Sequence, residues 1–144
     1  MEDMNDPAAV RAQRSEESLA RVLEAWPTVR AAWLFGSVAE GSAGPLSDVD
    51  VAVLGCAALS FDERAQMAVE LARAAGRPCD VVAVEHASPV LAMEVVRSDR
   101  RFFCRDIDGA DEWEDFALRR YLGTAGLRRI VYEHMRQDFG SGTR

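Results

Sequence analysis

Lysine is missing from this sequence: all 17 cationic side chains are arginine. That excludes Schiff-base chemistry and the lysine of a P-loop. It leaves arginine as the side chain that can neutralise phosphate. Cysteine is scarce. Cys56, Cys79 and Cys104 form an odd set with no metal-ligand spacing, each in apolar surroundings. They read as buried free thiols in a reducing compartment. The two histidines, His86 and His134, are far apart and form no motif. No apolar run approaches the ~20 residues that cross a membrane. Residues Met1 to Asp6 are acidic and lack the basic and apolar regions of a signal peptide, so a cytoplasmic location is expected.

What is present points to a folded unit. Hydrophobic residues make up 49% of 144, which excludes a disordered chain and suffices for one domain with a core. The net charge is −7 and the pI about 4.8. Nucleic-acid binders show a basic footprint, so DNA or RNA is disfavoured as a direct partner. A small molecule, or a protein with a basic face, fits this charge better.

The stretch from Gly36 to Asp50 organises the rest. An apolar run, Ala31 to Phe35, leads in, and another, Val51 to Leu54, leads out. The pattern is strand, Gly36-Ser37 turn, short insert, then a strand opening with Asp48 and Asp50. Residues two apart on a strand share a face. Both carboxylates therefore stand side by side, while Val49 and Val51 pack inward. Two hard oxygen ligands so placed suit Mg²⁺, which is held by one or two carboxylates and substrate phosphates. Gly36 lets the backbone approach a ligand closely. Amides at a helix start, joined by the Ser37 hydroxyl, attract phosphate. The plain alternative is a β-turn-β segment with acidic residues at a strand end.

Elsewhere the patterning predicts a helix from Pro7 to Ala25, ended by Trp26-Pro27. A first strand covers Val29 to Phe35, apolar throughout as if buried on both faces. One helical turn is expected over Ser37–Glu40 and a loop over Ser42–Ser47. A second strand covers Asp48–Leu54. Ser60 and Glu63 form a capping box for a helix over Phe61–Ala75, which Gly76 and Pro78 end. A third strand covers Cys79–Val84, and Ser88-Pro89 opens a helix to about Arg97. Arg101–Cys104 is a short edge strand. A C-terminal helical segment covers about 108–139, its helix running from Asp111 to about Phe139 and split near Gly123–Gly126. With no repeat or long linker, residues 1–144 read as one domain of α/β (α+β) class, helices against one sheet. Asp80 heads a strand that follows a crossover helix, so it can join Asp48 and Asp50 on one rim. Its rival, Glu85, lies at that strand's far end.

Gly-Ser, ten residues (Val38 to Ser47), then Asp48-x-Asp50 resembles the signature of nucleotidyltransferases of the DNA polymerase β superfamily. The resemblance extends, more loosely through Leu118-Arg119-Arg120-Tyr121-Leu122, to minimal nucleotidyltransferases of the MntA type, antitoxins of HEPN-domain toxins. It implies a polymerase β-like fold with a small mixed sheet. It implies two Mg²⁺ ions held by Asp48, Asp50 and Asp80, ATP bound at Gly36 and Ser37, and transfer of AMP to a tyrosine of a partner HEPN ribonuclease toxin. The resembling proteins often carry an arginine just after Gly-Ser, where this chain has Val38 and Glu40. The triphosphate arginine must then come from elsewhere, with Arg64, Arg100 and Arg101 as candidates. Two other readings stay open: neutralisation of a partner by complex formation alone, and nucleotidyl transfer to a small hydroxylated molecule such as an aminoglycoside.

Overall fold

The structure, a computed structural model, describes residues 7–36 and 47–141, with the backbone alone for 8–14 and 139–141. Ser37, Glu40, the helical turn expected over Ser37–Glu40 and most of the loop after it lie outside the described residues.

Helix α1 (Pro7–Glu24) is followed by β1 (Ala31–Phe35), β2 (Val49–Leu54), α2 (Phe61–Ala75) and β3 (Cys79–Ala83). A 3₁₀ turn (Val84–His86), α3 (Pro89–Ser98), β4 (Arg101–Cys104), α4 (Ile107–Gly123) and α5 (Ala125–Ser141) complete the chain. The strands form one sheet in the order β3-β2-β1-β4. β2 and β3 run parallel, and β1 is antiparallel to both β2 and β4. The class and the mixed sheet flanked by helices agree with the sequence reading.

Strand alternation divides the core in two. Ala32, Leu34, Val49, Val51 and Val53 face Leu19 and Leu23 of α1 and Met67 and Leu71 of α2. Ala31, Trp33, Phe35, Ala52 and Leu54 face Ala92 and Val95 of α3 and Ala110, Trp113 and Ala117 of α4. All five residues of β1 are buried, as a strand covered on both faces requires. The Trp33 and Trp113 rings meet at 4.9 Å, a pairing worth about 1 kcal/mol beyond its buried area. The Trp33 indole N–H donates to Glu114 Oε1 at 2.9 Å, so the buried ring keeps a polar partner.

Local chemistry sets the ends of these elements. The Ser60–Glu63 capping box forms, and Gly76 closes α2 in the left-handed region. Val29 is buried but belongs to the turn before β1, because its N–H donates to Trp26 O rather than to the ladder. The Arg105 guanidinium donates to four carbonyls, those of Glu24, Trp26, Pro27 and Val29. It thereby ties the end of β4 to the turn that delivers β1. The C-terminal helical segment starts one turn early, at Ile107, because Asp106 caps it by accepting the Gly109 N–H at 3.0 Å. It splits at Thr124 into α4 and α5. Cys104 is exposed and Cys79 half-buried, so only Cys56 is the buried thiol the sequence suggested. Cys104 ends an edge strand that no further strand among the described residues covers. Among the described residues no helix is long and apolar enough to cross a membrane.

Candidate active site

β1, β2 and β3 place the predicted carboxylates. Phe35, the last residue of β1, lies opposite Asp50, and Asp50 aligns with Asp80 in the parallel β2–β3 ladder. Aligned residues of neighbouring strands point to the same face. Asp50 and Asp80 therefore share the α3–α4 side of the sheet with Ala52, Leu54 and Val82. By the two-residue period Asp48 lies on that side as well. Val49 and Val51 point the other way and are buried against α1 and α2. The carboxylates stand at the start of both parallel strands, where Asp50 is half-buried and Asp48 and Asp80 are exposed.

Gly36 closes this end of the sheet. Its φ is +78°, a conformation that strains any residue with a Cβ. A Cβ there would stand 2.3 Å from Asp50 Oδ2. The glycine thus lets the β1 backbone pass against the carboxylate. Ser37, the other half of the expected phosphate cradle, lies outside the described residues.

Electrostatics link the group. Burial raises the pKa of Asp50 above the usual carboxylate range, and Asp80, Asp48 and Glu94 raise it further. Glu94 went unnoticed in the sequence. It reaches this neighbourhood because α3 packs across β1, with Ser98 Oγ donating to Leu34 O at 2.7 Å one turn later. Cys79 stands beside Val49 in the ladder. Burial, followed by Asp48 and Asp50, pushes its thiol up to about 11. At neutral pH it is protonated and a poor nucleophile.

The donor set suits Mg²⁺. Its oxygens are hard, and their mutual repulsion is what a dication relieves. Among the described residues no three acidic, thiol or imidazole groups converge closely enough to cage an ion alone. Asp48, Asp50 and Asp80 share a rim of the sheet, but in this structure they do not converge to the spacing of one ion's ligands.

Two of the three arginines proposed for the triphosphate are engaged elsewhere. Arg100 pairs with Glu16 of α1. Arg101 pairs with Asp111 at 2.8 Å and Glu114 at 2.9 Å. Arg64 lies near Cys56, past the end of β2 opposite to Asp50, and its buried Nε has no hydrogen-bond partner. Glu85 accepts the Gly55 N–H at 2.5 Å beyond the far end of β2, away from the three aspartates.

The family model described as "Polymerase beta, Nucleotidyltransferase" matches residues 17–108, which hold β1 through β4 and all three aspartates. The chain is 34% identical over 77 residues to a protein of Shewanella oneidensis named Protein adenylyltransferase MntA. That match covers 54% of this chain and 55% of the relative, so it spans about half of each. Among solved structures, a toxin–antitoxin complex with AMP-PNP superposes with a TM-score of 0.72 at 24% identity, covering 83% of this chain and 97% of the other. A tri-AMPylated Shewanella oneidensis HEPN toxin in complex with MNT antitoxin gives a TM-score of 0.69 at 23% identity, covering 86% of this chain and 98% of the other. These structural likenesses establish a common fold. The family model extends over most of the chain and contains the carboxylate pair aligned in the β2–β3 ladder, and on that ground the chain belongs to the polymerase β nucleotidyltransferase family.

Proposed function

We propose that this chain is a cytoplasmic, Mg²⁺-dependent adenylyltransferase antitoxin. It moves AMP from ATP to a tyrosine hydroxyl of a partner HEPN ribonuclease toxin and so silences it. The observation that carries the reading is the alignment of Asp50 with Asp80, with Asp48 on the same face and Gly36 against Asp50. The names of the similar proteins, an adenylyltransferase and HEPN toxin–antitoxin complexes, support the choice of nucleotide and acceptor.

Asp48, Asp50 and Asp80 would hold the metal, which supplies charge neutralisation at the triphosphate and acidifies the acceptor hydroxyl. The chain's own contribution is positional. Asp50 is fixed by its strand, by the packing of α3 and by the Gly36 backbone. Asp80 is exposed and can accept the proton that the tyrosine hydroxyl loses. The tyrosine oxygen bonds to the α-phosphorus, the bond from that phosphorus to the bridging oxygen breaks, and pyrophosphate leaves. The acidic surface draws in a basic, RNA-cleaving partner.

Incubation with ATP labelled at the α-phosphate, Mg²⁺ and the HEPN toxin encoded beside this chain tests the reading. Label is expected on a toxin tyrosine and should require Asp50. A toxin that stays unlabelled, while the chain binds it and ATP, would overturn it.

A further inference from the structure

The β1–β4 edge of the sheet is irregular where it meets the carboxylate rim. Ala32 pairs with Phe103, but Trp33 pairs with Arg101, so β4 carries one extra residue, Phe102. A bulge of this kind re-aims the side chains beside it. Arg101 is turned onto the Trp33 face, its guanidinium 5.8 Å from that ring. Arg100 takes the opposite face and pairs with Glu16 of α1.

Past Arg101 the ladder gives way to a side chain. The Leu34 N–H donates to Arg100 O at 2.9 Å. In a regular antiparallel pair the Arg100 N–H would answer with a bond to the Leu34 carbonyl. Here that carbonyl accepts the Ser98 hydroxyl at 2.7 Å. Asp99, left-handed at φ +51°, makes the turn between Ser98 and Arg100. The same hydroxyl stands 2.6 Å from Val95 O, so its proton is shared between β1 and the last turn of α3.

The position of this bond gives it a further consequence. Both backbone groups of Leu34 are held from outside by residues 98–100. The next residue, Phe35, lies opposite Asp50, and the one after it is Gly36, whose backbone bears on Asp50 Oδ2. Helix α3 bears on the same carboxylate, since Glu94, one turn before Ser98, adds its charge there. One hydroxyl therefore ties together two elements that meet at Asp50. We propose that Ser98 is a positioning residue for nucleotidyl transfer: through the Leu34 carbonyl it sets how the end of β1 and the last turn of α3 stand against Asp50. This rests on the transferase reading of the carboxylate rim. A misplacement of about 1 Å at a reacting centre can cost roughly a hundredfold in rate, so the loss in transfer should outrun the loss in stability.

Three variants of the full-length chain separate this role from a merely structural one. Ser98→Ala removes the hydroxyl and Ser98→Thr keeps it. Arg105→Ala loosens the other end of β1, where the guanidinium holds the carbonyl of Val29. Each is assayed well below its own melting temperature. The kcat for transfer of α-labelled AMP should fall at least tenfold in Ser98→Ala, return to within about threefold of wild type in Ser98→Thr, and stay within about twofold in Arg105→Ala. A second readout needs no acceptor: the Mg²⁺ concentration giving half of the rise in melting temperature should increase at least fivefold in Ser98→Ala and not in Arg105→Ala. If the wild-type chain labels no toxin while the Mg²⁺ responses divide in this way, the antitoxin reading falls and the role of Ser98 stands. A Ser98→Ala protein that transfers at the wild-type rate would overturn the proposal, and so would a loss in Arg105→Ala as large as that in Ser98→Ala.

Discussion

Gly36 and Asp50 are in contact across the end of the sheet: a methyl group on Gly36 would stand 2.3 Å from Asp50 Oδ2. The glycine is also left-handed, with φ +78°. Gly36→Ala therefore faces a clash and a backbone penalty together. It should lose about 1–2 kcal/mol of stability, from the cost of the left-handed conformation. Nucleotidyl transfer should fall at least tenfold, because the carboxylate must move. Urea denaturation and a transfer assay on the same preparation check both effects.

Asp50 should destabilise the metal-free protein at neutral pH. Its folded pKa is raised, so the folded state holds the proton more tightly than the unfolded state. Stability then falls as pH rises from the unfolded value, about 3.9, through the raised folded value. Asp50→Asn removes that penalty. The variant should melt higher than wild type at pH 7 without Mg²⁺, and the gap should close in acid. Adding Mg²⁺ should raise the melting temperature of wild type and leave the variant nearly unmoved. Calorimetry at several pH values, with and without Mg²⁺, reads all three.

Arg105 should matter more than a surface arginine usually does, since it donates to four backbone carbonyls around the turn into β1. Arg105→Ala should cost about 1–2 kcal/mol, the scale of charged hydrogen bonds reduced for partial exposure. Arg105→Lys should recover little, because one ammonium cannot span the same carbonyls. Chemical denaturation of both variants distinguishes these outcomes.

The three thiols should differ in reactivity. Burial and acidic neighbours push Cys56 and Cys79 up to about 11, while Cys104 is exposed. Brief treatment of the native chain with iodoacetamide at neutral pH should modify Cys104 first, and denaturant should open the other two. Peptide mass spectrometry gives the order.

The parts of the site set by short-range rules were legible in the sequence. The two-residue strand period is enough to put Asp48 and Asp50 on one face and Val49 and Val51 on the other. A helix between Leu54 and Cys79 is enough to bring Asp80 beside them, since parallel strands need such a crossover. The parts set by packing angles were not legible. Glu94 reaches Asp50 only because of how α3 lies on β1. Arg100 finds Glu16 across 84 positions, and no local pattern announces that partner. The start of α4 was missed for a different reason. Gly109 in its first turn reads as loop, yet its N–H is the donor that Asp106 caps. Cys104 sits in an apolar run, but its position at the end of an edge strand leaves it open.

The central claim is that Asp48, Asp50 and Asp80 act as one site, although they come from two strands. Transfer of α-labelled AMP to the HEPN toxin by Asp80→Asn, beside Asp50→Asn and Glu85→Gln, tests it most directly. The first two should lose at least a hundredfold in rate while keeping the wild-type fold, and Glu85→Gln should keep transfer within a few-fold of wild type. An Asp80→Asn protein that labels the toxin at the wild-type rate would contradict the account.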